Sequence, residues 1–83
     1  MQLTDKIKLI LQDKNITSAE YQRALHLARP QALNTKYMRN SFSVRDLTIL
    51  AELTDTELAF VNKKTGETVL NIVRDDLQKN NDK

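Results

Sequence analysis

The chain has no cysteine and no tryptophan, and only one glycine, one proline and one histidine among its 83 residues. Each shortage closes off a class of function. Without cysteine there is no disulfide framework, no thiolate zinc site and no cysteine nucleophile, and a reducing, cytoplasmic setting is the natural expectation. A single histidine builds no histidine metal cluster, and His26, between Leu25 and Leu27, reads as a surface or satisfied side chain on the back of a helix. With Gly66 as the sole glycine there is no glycine-rich phosphate loop, and Ser18, Ser41 and Ser43 stand in no nucleophile motif. No apolar run reaches the roughly 18 residues of a membrane span. The opening MQLTDKIKLILQDK carries charges through its apolar positions, unlike a signal peptide. The expectation is a non-enzyme with no cofactor, no metal, no membrane association and no small-molecule substrate.

What is present is periodic. A chain of 83 residues has room for one domain with a modest core. Leu3, Ile7, Ile10 and Leu11 recur at helical spacing and predict a first helix, opened near Gln2 or Thr4 and closed by Asp13-Lys14-Asn15. Thr17-Ser18-Ala19-Glu20 has the reciprocal capping pattern and starts a second helix, with Ile16 as a staple and Tyr21, Ala24, Leu25 and Ala28 as its apolar face. Pro30 is tolerated in a first turn and disfavours helix just before it, so the second helix is expected to end near Ala28 and a third to open at Pro30. Its core stripe is Pro30, Leu33 and Tyr37. Gln31, Thr35, Met38 and Arg39 lie opposite, flanked by Asn34 and Lys36. Ser43 with Asp46 caps a fourth helix, whose face is Val44, Leu47, Leu50 and Ala51. Tyr21, Tyr37 and Phe42 sit in apolar stripes and read as core.

After Thr56 the rhythm changes. ELAFVN and ETVLNIV, rich in β-branched and aromatic residues and joined by KKTG, predict a β-hairpin over residues 57–74, with Gly66 supplying the positive φ of a four-residue loop with a bulge. Residues 75–83 form a polar tail expected to fray, with one helical turn at DDLQK as an option.

Charge is segregated. From Tyr21 to Arg45 there are five basic residues, Arg23, Arg29, Lys36, Arg39 and Arg45, and no Asp or Glu, while the rest of the chain holds eight basic and eleven acidic residues. The formal net charge of +2 conceals this division. A segment cleared of carboxylates is what a polyanionic partner requires. Two helices joined by a tight turn, the second exposing amides and hydroxyls among cations, form the helix-turn-helix arrangement. Its side chains meet base edges and its cations meet phosphates.

The run ITSAEYQRAL, followed by RPQALNTKYMRNSFSVRDLTILAEL, resembles the lambda repressor and Cro-like (XRE-type) helix-turn-helix domains over about residues 3 to 55. LNTKYMRNSFSVRDLTILAEL is the most similar part. The resemblance implies a mostly α, four-helix domain over 1–55 with the hairpin added after it. It implies a transcriptional regulator, of phage, plasmid or bacterial origin, that binds double-stranded DNA. Carried over by position, Gln31, Ala32, Asn34 and Thr35 fall where bases are read, while Ser18, Lys36, Arg39, Asn40 and Ser41 fall at phosphate-facing places. The chain departs from the family pattern in having Ser18 where Gln is usual, Tyr21-Gln22 in place of a Leu-Ala pair, no glycine in the turn and one more residue between Thr17 and Leu33. The alternative is a protein-interaction module on the same scaffold, antirepressor or antitoxin-like, which the hydrogen-bond-poor Pro30 and Ala32 favour.

The hairpin lies outside that resemblance. Alternation places Leu58, Phe60, Leu70 and Ile72 on one side and Ala59, Val61, Val69 and Val73 on the other, so both sides are apolar. A two-stranded ribbon cannot bury both against four short helices, and a homodimer through residues 57–74 is expected; the alternative is a hairpin that wraps its own helices.

Overall fold

Four helices and a two-stranded antiparallel hairpin follow one another along the chain: α1 (Leu3–Asp13), α2 (Ser18–Ala24), α3 (Pro30–Arg39), α4 (Val44–Leu53), β1 (Leu58–Val61) and β2 (Thr68–Ile72), then a 3-10 turn over Arg74–Leu77. The computed structural model describes residues 1–78; the final residues of the polar tail, expected to fray, lie outside the described residues.

The helix starts are local chemistry. Thr17 Oγ1 accepts the Glu20 N–H at 3.1 Å while the Glu20 carboxylate accepts the Thr17 N–H at 2.8 Å, and Ser43 and Asp46 exchange the same two bonds at 3.0 and 2.9 Å. At the start of α1 the Asp5 carboxylate makes one half of this arrangement, accepting the Gln2 N–H at 3.1 Å. Pro30 takes the first turn of α3, as its missing N–H allows.

The helix ends are less usual. All four close through a residue in the left-handed region: Asn15, His26, Asn40 and Asp55, with φ between 55° and 59°. At each end the next residue's N–H reaches back to a carbonyl five residues earlier: Ile16 to Leu11, Leu27 to Gln22, Ser41 to Lys36 and Thr56 to Ala51, at 2.8–3.1 Å. These are Schellman closures, which normally use glycine. A chain with one glycine fills them instead with Asn, Asp and His, the residues that best tolerate this conformation.

The closure at His26 corrects the sequence expectation. α2 stops at Ala24, a turn before Ala28, because Leu27 folds back onto the core and the Gln22 side chain also donates to its carbonyl at 3.1 Å. Ala28 is exposed, and His26 lies in the connection rather than on the back of a helix. His26→Gly should therefore raise stability by about 0.5–1 kcal/mol, since relief of left-handed strain exceeds the added unfolded-state entropy. Urea denaturation checks this, and a lower midpoint would show that the imidazole contributes a contact.

The core is one cluster of Ile7, Leu11, Tyr21, Leu25, Leu33, Tyr37, Ile49 and Leu50, with Leu3, Ile10, Ile16, Leu27, Phe42, Leu47 and Leu53 packed around it. Pro30, placed in the core stripe by the sequence, is exposed, and so is Val44. Both sit at helix starts, where the chain has not yet turned inward. The hairpin pairs Leu58 with Ile72 and Phe60 with Leu70, and a bulge follows Phe60. Its loop is held by Asn62, whose Oδ1 accepts the Lys64 and Thr65 amides, and by Gly66 at φ +78°. Beyond β2, Arg74 forms an ion pair with Glu52 of α4, which ties down the base of the hairpin.

Candidate functional site

α3 presents one face to the core and another to solvent. Leu33 and Tyr37 are buried, whereas Gln31, Asn34, Thr35, Met38 and Arg39 are exposed. At 82 % exposure Met38 stands out on this face, between Thr35 and Asn34 on the helical wheel. It shares this exposed face with Gln31, Asn34 and Thr35, and its signal in the sequence was a large apolar residue on the polar side of the wheel. Ala32 is half-buried and turned toward the flank.

The predicted phosphate-facing residues divide. Arg39 and Ser41 are exposed, and no side-chain hydrogen bond engages either among the described residues. Asn40 is exposed, but its Oδ1 accepts the Thr4 N–H at 2.8 Å, while Thr4 Oγ1 donates to the Tyr37 carbonyl at 2.7 Å. This pair caps α1 with a side chain from the far end of α3. Ser18 Oγ shares a 2.9 Å hydrogen bond with the Tyr37 hydroxyl. Thr35 Oγ1 donates back to the Gln31 carbonyl at 2.9 Å, leaving its lone pairs outward.

Lys36 is committed to the fold. Its Nζ lies 2.8 Å from Asp46 Oδ2, an oxygen that also accepts the Ser43 N–H, and Asp46 is buried. Burial works against ionisation of this carboxyl, but the Lys36 ammonium and the Ser43 amide outweigh it and hold Asp46 below the ordinary carboxylate range. The Asp46 carbonyl in turn accepts the hydroxyl of Tyr21 at 2.8 Å. That phenol is fully buried, and burial together with the nearby Asp46 charge raises its pKa far above the ordinary value. Asp46 thus joins α2, α3 and α4 at one point. It fixes how α3 is held against the domain.

Lys36→Met should destabilise the protein by about 2 kcal/mol at neutral pH by leaving a buried carboxylate short of its partner. The folded pKa of Asp46 is depressed, so the ion pair's contribution is present above the ordinary Asp value of about 3.9 and is lost as pH falls through the lower folded value. The stability gap between wild type and variant should therefore close in strong acid. Urea midpoints at the two pH values check this, and a gap independent of pH would mean that packing of the lysine stem, not charge, is responsible.

With Lys36 paired to Asp46, the cations left free in the acid-free segment are arginines. Arg23, Arg29, Arg39 and Arg45 are all exposed, with no carboxylate at ion-pair distance among the described residues. Beside α3 an open groove of about 550 Å³ runs between it and the start of α2, lined by Ser18, Gln22, Gln31, Asn34 and Tyr37 together with Lys8 of α1. The Lys8 ammonium stands 4.7 Å from the centre of the Tyr37 ring. Neither Lys8 nor Gln22 was legible as a site residue, because only the tertiary fold brings them to α3. Among the described residues no group of His, Asp and Glu is arranged to hold a metal ion.

No protein-family model matches this chain, and no curated protein or solved structure matches it.

Proposed function

We propose that this protein is a sequence-specific, DNA-binding transcriptional regulator without enzymatic activity, of the lambda repressor and Cro-like helix-turn-helix kind, which reads the major groove with α3 and acts as a homodimer through its hairpin. The observation that carries the reading is the exposed face of α3: Gln31, Asn34, Thr35 and Met38, all uncharged, with unpaired Arg39 on one flank and no carboxylate. A helix in the major groove needs hydrogen-bonding groups toward base edges, a methyl-sized apolar contact for thymine and cations toward phosphates. α3 is ten residues long, about 15 Å, enough for a few base pairs. One such helix reads too few bases for specificity, so a two-fold pair of helices on two half-sites is the economical solution. Docking of the second copy on the hairpin is supported by the exposure of Phe60, Val61, Val69 and Leu70 in its outer half.

The test is a gel shift on the DNA flanking the protein's own gene, followed by two substitutions. Gln31→Ala should cost roughly 1–3 kcal/mol on the cognate site and much less on unrelated DNA. Arg39→Ala should weaken binding to all sequences alike and flatten the salt dependence by about one unit. Equal losses from Gln31→Ala on both DNAs would mean that α3 enters the groove in another register. Absence of salt-dependent DNA binding would favour the protein-interaction reading, for which exposed Met38 and Pro30 would serve as apolar anchors.

A further inference from the structure

A helix lying in the major groove has a phosphate strand on each side, since the groove is about 12 Å wide and a helix with its side chains about 10–12 Å. α3 carries a free cation on one flank only, at Arg39. On the other flank the wheel places Asn34 and Pro30, neither charged. That second flank opens onto the groove between α3 and the start of α2, where the charged side chain among the lining residues is Lys8. Among the described residues no Asp or Glu lines it. Lys8 comes from a different helix, and its ammonium is held over the Tyr37 ring, whose hydroxyl is hydrogen-bonded to Ser18 on the opposite wall.

We infer that this groove seats a phosphate of the DNA backbone, with Lys8 as its cation and Ser18 and Gln22 as neutral donors, and that it grips the strand opposite the one met by Arg39. The inference rests on the DNA-binding reading of α3 and names the further residues that reading requires. Three features support a phosphodiester here. The site is wide and open, so a continuous chain can pass through it. Its donors are spread along two walls, as the tetrahedral oxygens of a phosphate require. Gln31 and Asn34 belong both to the groove and to the reading face, so a duplex whose bases meet these amides brings its backbone alongside Lys8.

The test uses the full chain and a fluorescent mixed-sequence duplex of about 20 base pairs, titrated between about 50 and 200 mM salt. Lys8→Gln should lower affinity several-fold at low salt and flatten the plot of log affinity against log salt by about 0.9, one phosphate contact. Lys8→Arg should keep the slope. Lys14→Gln, at the far end of α1 and outside the groove, should leave the slope as in wild type. Binding by wild type with an unchanged slope in Lys8→Gln overturns the groove inference and leaves the reading of α3 standing. No duplex binding by wild type overturns both. Competition by polyglutamate as effective as that by the duplex itself would show a general anion site, and would also overturn the assignment to DNA backbone. Lys8 is exposed, so an unaltered thermal midpoint in each variant verifies that the fold is not what changed.

Discussion

Phe60→Glu combined with Leu70→Glu should leave a folded monomer whose affinity for a two-half-site operator falls at least about 100-fold, while binding to unrelated DNA persists. In the proposed dimer the second half-site is bound intramolecularly, at an effective concentration that multiplies affinity by about 10²–10⁴, so the expected effect is large. The two residues face each other across the hairpin, on the side that begins with the half-buried pair Leu58 and Ile72 and runs out into solvent at 64 % and 51 % exposure. Glu at both positions sets like charges together about a two-fold axis. The helical core is untouched, since neither side chain packs on it. Sedimentation at tens of micromolar decides the matter: a monomeric wild type, or a variant that stays dimeric, overturns the hairpin interface. Truncation after Asp55 is a poorer test, because it removes the Arg74–Glu52 ion pair and the hydroxyl of Thr56, which lies 2.8 Å from that of buried Thr54.

Tyr21→Ala should cost about 3–5 kcal/mol and leave most of the chain unfolded at 37 °C. Tyr21 is 0 % exposed and lies where α2 packs against α4, so truncating its ring opens a cavity among Leu25, Leu33, Ile49 and their neighbours. Tyr21→Phe keeps the ring and removes the hydroxyl from the Asp46 carbonyl. It should cost about 1–2 kcal/mol, the loss of one buried hydrogen bond. Urea denaturation measures both. If Tyr21→Phe proves neutral, the Asp46 carbonyl finds another donor and Asp46 does not join the three helices as described.

Much of the fold was legible because its signals are short-range. Thr17 with Glu20 and Ser43 with Asp46 start helices through bonds spanning three residues, and Pro30 opens α3 through its own ring. Leu33 and Tyr37 were placed on the core by spacing alone. The hairpin, its loop around Gly66 and the common side of Leu58, Phe60, Leu70 and Ile72 follow from alternation. The end of α2 was not legible in the same way. Nothing local forbids one more turn to Ala28; α2 stops because Leu27 gains more from the core than Ala28 would from a helix, and His26 bears the left-handed conformation this needs.

The candidate site divides along the same line. Residue types and their spacing alone determined that α3 exposes Gln31, Asn34, Thr35, Met38 and Arg39 to solvent, because a helical face depends only on a residue's own position along one helix. Which cations remain free was decided by the tertiary structure. Lys36 and Asp46 are ten positions apart with a helix end, a loop and a helix start between them, and only packing of α3 against α4 brings a predicted phosphate contact into a half-buried ion pair. The same packing sets Asn40 against Thr4, Lys8 against Tyr37, and leaves the outer hairpin uncovered. Charge along a chain is a sum over residues. The charge a partner meets depends on which residues the fold has already paired, and such pairings span distances over which periodicity carries no information.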